Sequence, residues 1–407
     1  MNRKQVGAWA LFDFANSIYP AVVQTAVFSI YYTSVVVGNE TGRGDLWWGW
    51  AVSLSVLIVA VTSPLLGAVA DRGGLRKKFM FAYTALCLMG VLLFTTLGPG
   101  MAVRGFLLYV LANVGFEGAL VFYNAYLPDI APREKQGWVS GLGFGVGYLG
   151  SALGLIMALQ FVPDRMDLVW VATAVFFAVF AIPTFLLLPK DEPGEMGVAE
   201  AARWGLTHFR TIVGEVLAIK ELRRFLLSYF FYIDGILTVI VVAGPFAEQT
   251  FGFGQREAIY LFLVVQFSAL VGAMVLAKPT DLLGPKKVLT GSLVLWISVA
   301  CCVYFVTSPR VFFGLAVVVG FGLGSVQAAS RAFLSLMVPQ GKEAEIFGFY
   351  AFCGKSSSIV GPALFGVIAA ATGGNQRLAV VALTVLMGTG LVLLQRVTDP
   401  TRARTAE

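Results

Sequence analysis

Apolar residues fill this chain in long blocks separated by short polar intervals. Blocks near 8–36, 46–70, 79–97, 105–127, 138–162 and 167–189 each approach or exceed the roughly 20 residues that a helix needs to cross a hydrocarbon core. After a longer polar interval six more follow, near 223–247, 258–277, 288–306, 311–337, 346–370 and 377–395. Backbone groups in lipid must find partners within their own segment, so the pattern predicts an all-α membrane protein with twelve transmembrane helices. The division is six and six: a bundle over 1–189, a linker over 190–222 and a second bundle over 223–407. In the linker Trp204, Leu206, Phe209, Val213 and Val216 recur at helical spacing opposite Arg203, Arg210 and Glu215, the pattern of an amphipathic helix lying on a leaflet. His208, the single histidine, falls in this helix as a solvated surface residue.

The two halves share more than a count. After span 2 stands GAVADRGGLRKK (67–78), and after span 8 AKPTDLLGPKK (277–287), so that Asp71 matches Asp281 and Gly74 matches Gly284. After span 4 stands PREKQGWVSG (132–141), and after span 10 PQGKEAEIFG (339–348). Parallel six-span repeats of this kind build the two pseudo-symmetric six-helix bundles of the major facilitator fold. Gly67, Ala70, Asp71, Arg72, Gly74 and Arg76 resemble that superfamily's cytoplasmic motif G-x-x-x-D-R-x-G-R-[RK], with Leu75 in place of one basic residue. A carboxylate beside a helix end with guanidinium partners makes a charge-assisted latch that can form in one state and break in another. The expected latch set is Gly67, Asp71, Arg72, Gly74 and Arg76, with Asp281 and Gly284 at the repeat.

Composition agrees: 58% of residues are hydrophobic, 13% are charged, and the mean hydropathy is +0.81. The net charge of +6 reflects topology rather than a nucleic-acid partner. Outside the spans Arg43, Arg104, Arg165, Arg256, Arg310 and Arg377 fall on one side and every other Lys and Arg on the opposite side. The positive-inside rule then places both termini in the cytoplasm of a multi-pass protein of the plasma (inner) membrane. Residues 1–36 hold a full-length span with no cleavage site, so no leader is expected to be removed. Cys87, Cys301, Cys302 and Cys353 all lie within spans, without the spacing of disulfides or metal ligands. No cofactor or metal is expected.

Five ionisable side chains sit well inside spans: Asp13, Glu117, Asp234, Arg331 and Lys355. Each would cost at least about 2.5–3.5 kcal/mol against lipid, so each must face protein or water. Four of the five occupy the first helix of a three-helix unit, the helices that line the substrate cavity in this superfamily. Asp13, Asn16, Ser17, Pro20 and Gln24 form a polar stripe on helix 1, where Pro20 also weakens the helix, and Asn113, Glu117 and Asn124 form one on helix 4. Tyr19, Tyr123, Tyr232 and Gln327 complete the expected substrate or coupling set. The alternative for these polar residues is interhelical glue. Glycines at 141, 143, 145, 147, 150 and 154 in helix 5 would let that helix approach its neighbours closely.

WALFDFANSIY (9–19), FYNAYLPDIAP (122–132), SGLGFGVGYLGS (140–151) and YIDGI (232–236) together resemble the autophagy-related vacuolar amino-acid effluxer-like branch of the superfamily. That resemblance implies a secondary active transporter moving a small polar or zwitterionic, amino-acid-like solute by alternating access. An ammonium would meet Asp13 or Asp234, a carboxylate would meet Arg331 or Lys355, and Glu117 or Asp13 could carry a coupling proton. Export or import of another metabolite or drug-like solute fits the same chemistry, as does a membrane solute sensor. The expected partners are a small solute, protons and the lipid bilayer, with the chain a monomer. No convergent nucleophile and base appears, so an enzyme is not expected.

Overall fold

The computed structural model describes residues 1–38, 43–194, 196–253, 255–357, 360–373 and 375–399, and among them regular structure is entirely helical. Twelve stretches of the described residues are long and apolar enough to cross a membrane. They are carried by α1 (Arg3–Val37), α2 (Arg43–Gly73), α3 (Arg76–Thr96), α4 (Ala102–Ile130), α5 (Arg133–Leu159) and α6 (Met166–Leu187). The linker helix is α7 (Val198–Ala218). Then come α8 (Lys220–Phe251), α9 (Gln255–Leu283), α10 (Pro285–Val303), α11 (Pro309–Met337), α12 (Glu343–Ser357), α13 (Val360–Ala371) and α14 (Gln376–Gln395), with α12 and α13 together making one span.

Helix α1 is the irregular one. Its α-helical part starts on Asn2, whose side chain accepts the Lys4 N–H at 3.0 Å, and ends at Asn16. From Pro20 to Ala26 the coil widens to a π-helix, and it does so again from Tyr31 to Val37. Proline has no N–H and its ring crowds the preceding turn, so the α ladder cannot pass through Pro20 unchanged. The weak point expected at Pro20 is therefore a change of helix type.

The chain clusters into two compact units. Unit 1 takes in Met1–Ile130, Val146–Phe209 and Pro339–Phe352, and unit 2 the remainder. Within unit 1, α3 and α2 pack on α4, and α1 on α6; within unit 2, α10 and α9 pack on α11, and α8 on α14. The pairing is the same once the repeat is applied, which is the structural form of the duplication read from the sequence. Each unit has an aromatic core. In unit 1 Phe28 stacks on Phe94 with centroids 3.9 Å apart and Trp170 meets Phe28 edge-on at 5.5 Å. In unit 2 Phe312 gathers Phe246, Phe251 and Phe253 at 4.9–6.1 Å. Large rings contribute most of the buried area per residue, so these clusters anchor one end of each bundle. Outward-facing positions such as Leu186, Val61 and Val385 remain exposed, as lipid-facing side chains must.

Candidate functional site: two carboxylate caps and two acid-bearing helices

Asp71 lies near the end of α2, where Gly74 turns the chain into α3 with a φ of +59°, a conformation glycine adopts without steric cost. Its carboxylate accepts the backbone N–H of Ala344 at 3.1 Å and of Glu345 at 2.8 Å, the second and third residues of α12. These donors have no partner inside their own helix, and the helix dipole favours a negative charge at this end. Gly67 permits the approach: a Cβ there would lie 2.7 Å from the Ala344 carbonyl carbon and 2.9 Å from Glu345 Cα. Gly348 does the same one turn further along α12, against Ser63 and Pro64.

Arg76 gathers the acids around this cap. Its guanidinium nitrogens lie 3.0 Å from Asp129, 3.6 Å from Glu343, 3.9 Å from Asp71 and 4.0 Å from Asp191. Asp191, just beyond α6, also accepts the Tyr126 hydroxyl at 2.6 Å and the Lys77 N–H at 2.7 Å. Four carboxylates thus share one largely buried arginine. Arg72, the other basic residue of the motif, makes a different contact: its guanidinium stacks 3.7 Å over the Trp204 ring of α7.

In unit 2 the arrangement recurs. Asp281, near the end of α9, accepts the N–H of Gly137 at 2.7 Å and of Trp138 at 2.9 Å. These are the second and third residues of the α-helical part of α5, which begins at Gln136, so the register matches that of the other cap. Gly284 makes the following turn with a φ of +86°. Close approach here depends on glycines of the capped helix: a Cβ at Gly141 would collide with Ala277 and the Ala273 carbonyl, and one at Gly145 with Met274. Among the described residues no ion pair reaches Asp281. Lys286, which stands where Arg76 stands in the first repeat, donates to the carbonyls of Gln395 and Val397 at 2.8 and 2.7 Å.

The polar residues of α1 and α4 in unit 1 are drawn together. Gln24 donates to Asn113 at 2.7 Å, and Asn113 donates to Ser55 at 2.7 Å. Asp13, Asn16 and Glu117 are buried. Tyr19 stacks on Phe116 with centroids 4.7 Å apart, while among the described residues its hydroxyl and the Asn16 amide nitrogen lack a hydrogen-bond partner. Tyr123 sits between Trp9 and Phe12, stacked at 4.6 and 4.9 Å, and its carbonyl accepts the Trp9 indole N–H. Asn124 ends the long α-helical part of α4. Ser17 turns toward α5, where a Cβ at Gly147 would lie 2.8 Å from its hydroxyl and Ser151 donates to its carbonyl at 2.9 Å. Gly150 and Gly154 continue this contact against Phe14 and Ile18, the close approach that the helix 5 glycines predict.

In unit 2 Asp234 of α8 is buried, with Thr238 one turn on. Gly361 of α13 lies against both, its position leaving no room for a Cβ. Tyr232 shares a 2.7 Å hydrogen bond with Ser330 of α11. Arg331, the next residue, is buried and donates to the Ser140 hydroxyl at 3.0 Å and carbonyl at 2.8 Å, with its guanidinium 4.0 Å over the Phe144 ring. Gln327 lies one turn earlier on α11, partly buried, and Lys355 partly buried near the end of α12.

Sequence reasoning missed Asp129, Asp191 and Glu343 around Arg76, and Ser140 beneath Arg331. The first three stand at span ends within a few residues of Pro128, Pro193 and Pro339, where acids in a basic loop look like ordinary solvated charges. Nothing in the spacing marks Ser140.

With this geometry in view, the family model described as "Vacuole effluxer Atg22 like" matches residues 50–407. The chain is 30% identical to the MFS-type transporter YxiO of Bacillus subtilis, across 98% of this chain and 96% of the relative. It is 25% identical to Autophagy-related protein 22 of Yarrowia lipolytica, across 85% and 74%. Among solved structures, the human organic anion transporter MFSD10 superposes with a TM-score of 0.77 over 97% of this chain and 99% of that one, at 16% identity. The E. coli fucose:proton symporter FucP gives 0.73 over 97% and 98%, at 13% identity.

Proposed function

Because the chain belongs to the Atg22-like vacuole effluxer family of major facilitator transporters, and is not an enzyme, we propose that it moves a small polar or zwitterionic, amino-acid-like solute by proton-coupled alternating access. The observation that carries this reading is the duplicated cap: two carboxylates, Asp71 and Asp281, each hold the second and third N–H groups of a helix supplied by the opposite repeat. Such contacts are short, charge-assisted and all-or-none, which suits a switch between two states. The bundles 1–189 and 223–407 are the moving bodies of this proposal, with 190–222 joining them. The family's description favours efflux. The relatives named for autophagy are longer than this chain's match to them, and the amino-acid class rests on the buried acids and bases.

In this reading Asp13 carries the coupling proton and Asp234 meets the solute ammonium, with Asn16, Tyr19, Gln24, Asn113, Glu117, Tyr123 and Asn124 of unit 1 and Tyr232, Gln327, Arg331 and Lys355 of unit 2 supplying polar contacts. The protein works as a monomer in the plasma membrane with both termini in the cytoplasm.

Flux in proteoliposomes, screened across amino acids with and without an imposed proton gradient, tests the activity. Loss of a charge-assisted bond to an ammonium weakens binding by about 1.5–3 kcal/mol, roughly ten- to a hundred-fold. Asp234→Asn is expected to do this, whereas Asp13→Asn should leave binding nearly intact, abolish pH-driven accumulation and spare exchange. Equal phenotypes would end the division of roles. For orientation, a cysteine at 208 should be shielded from impermeant thiol reagents in intact cells while one at 165 labels, and the reverse would invert the topology.

A further inference from the structure

The linker helix has three faces rather than the two of a simple amphipathic helix. Ala201 and Gly205 form the buried face in unit 1, and Gly205 lies so close to α2 that a Cβ would sit 2.8 Å from Val69 and 3.0 Å from Leu65. Beside this face Trp204 takes the Arg72 guanidinium at 3.7 Å and stacks with His208 at 5.0 Å. The helix is therefore fixed to the same turn that carries Asp71.

A third face is apolar and uncovered. Leu206 is 68% exposed and Phe209 38% exposed. Helical geometry places them on one strip, with Arg203 and Arg210, seven residues apart and both exposed, along its edge. Glu200 and Glu215 fall away from this strip on the polar side. A strip of this composition is unfavourable in water and unsuited to the hydrocarbon interior, but fits the boundary between acyl chains and headgroups. The helix is also tethered beside that boundary, because α6 ends at Leu187 and α8 begins at Lys220.

We propose that α7 is a seat for anionic phospholipid: Leu206 and Phe209 enter the acyl boundary while Arg203 and Arg210 hold the headgroup phosphates. The chemistry that recognises the partner is charge complementarity between two guanidinium groups and a phosphodiester monoanion at a membrane surface. The docked helix brings the lipid surface into mechanical contact, through Trp204 and Arg72, with the turn that carries the Asp71 cap. The choice of leaflet rests on the orientation proposed above; the lipid chemistry does not.

The test is amide hydrogen exchange of the full chain in vesicles of phosphatidylcholine alone and of phosphatidylcholine with phosphatidylglycerol in both leaflets, so that an inverted orientation leaves the result unchanged. Amides of 198–209 should exchange more slowly in the anionic vesicles. Arg203→Gln and Arg210→Gln should each reduce that slowing roughly five-fold, as expected for one basic side chain near an anionic surface, and raised salt should act in the same direction. Both arginines are exposed, so these variants should retain the fold. Equal exchange in the two vesicle types would overturn the proposal, as would a charge effect that survives in the double variant. Slowing that follows the protein-to-lipid ratio instead of lipid charge would assign the strip to a second copy of this chain, and would overturn it equally.

Discussion

The caps of Asp71 and Asp281 share a register, a following left-handed glycine and two backbone donors, yet they are built on different supports. Asp71 lies within a cluster in which Arg76 faces Asp129, Asp191 and Glu343 as well. Asp281 holds its helix through the two N–H bonds, with no ion pair among the described residues. The glycines are also placed differently, on the acid-bearing helix and the capped helix in unit 1 (Gly67, Gly348) but on the capped helix in unit 2 (Gly137, Gly141, Gly145). A duplicated contact has thus kept its hydrogen bonds while its electrostatic surroundings diverged. The N–H bonds require only a carboxylate at one place, whereas a five-membered ionic cluster requires several groups to remain together.

The sharpest break in this comparison is to remove the cation at each repeat. Arg76→Gln leaves four carboxylates crowded without their shared guanidinium, and loss of one partner from a buried ionic cluster costs about 3–5 kcal/mol. The Arg76 side chain is 14% exposed, so the lower end of that range is expected. Lys286→Gln removes bonds to two carbonyls at the end of α14, and a change near 1 kcal/mol is expected. Thermal unfolding of the two variants in the same detergent measures the difference. Similar losses would mean that the acids around Arg76 do not act as a cluster.

A smaller effect is expected when the carboxylates themselves are neutralised. Asparagine can accept one of the two N–H groups, but its own amide hydrogens then meet the other donor, and the charge that favours the helix N-terminus is gone. About 1–2 kcal/mol of the capped state is lost, roughly ten-fold in a two-state balance. Asp71→Asn should shift that balance further than Asp281→Asn, because it also weakens the cluster around Arg76, and both should slow turnover while keeping solute affinity within a few-fold. Distances between spin labels, recorded with and without solute, read the balance directly. Loss of solute binding in either variant would move that residue out of the latch.

The sequence made some of this legible and left the rest hidden for physical reasons. Span number and order follow from lipid's refusal of unsatisfied backbone, which leaves a signal in every block of apolar residues. Asp71, Gly74, Asp281 and Gly284 were readable because a turn needing positive φ and a carboxylate at fixed spacing form a local pattern that repeats. Their partners were not readable. A backbone N–H at Ala344 or Gly137 carries no mark in its side chain, and Asp191 reaches Arg76 only after the four spans from α3 to α6 have folded. Arg72 is the instructive case: its place in the motif assigns it to the latch, while the structure stacks it on Trp204, a residue more than a hundred positions away.

Arg331 closes the comparison from the side of the buried charges. Its charge inside a span marks it as a solute ligand, but in unit 2 its Nε and one terminal nitrogen bond to Ser140, and Phe144 covers its face. Ser140 in turn donates to the Ala328 carbonyl at 2.8 Å, so the serine links the start of α5, the helix that Asp281 caps, to α11. Ser140→Ala removes both the acceptor for the Arg331 Nε and the bond to the Ala328 carbonyl while leaving the Ser140 carbonyl bond and the ring contact, and a loss of about 1–2 kcal/mol is expected. If Arg331 serves to steady α5 beneath the Asp281 cap, this variant lowers thermal stability slightly and leaves the solute KM unchanged. If Arg331 swings to meet a solute carboxylate, releasing it from Ser140 changes KM in proportion to the freed guanidinium, and stability and affinity move in opposite directions. Measuring both quantities on the one variant separates a positioning residue from a binding one without removing the charge.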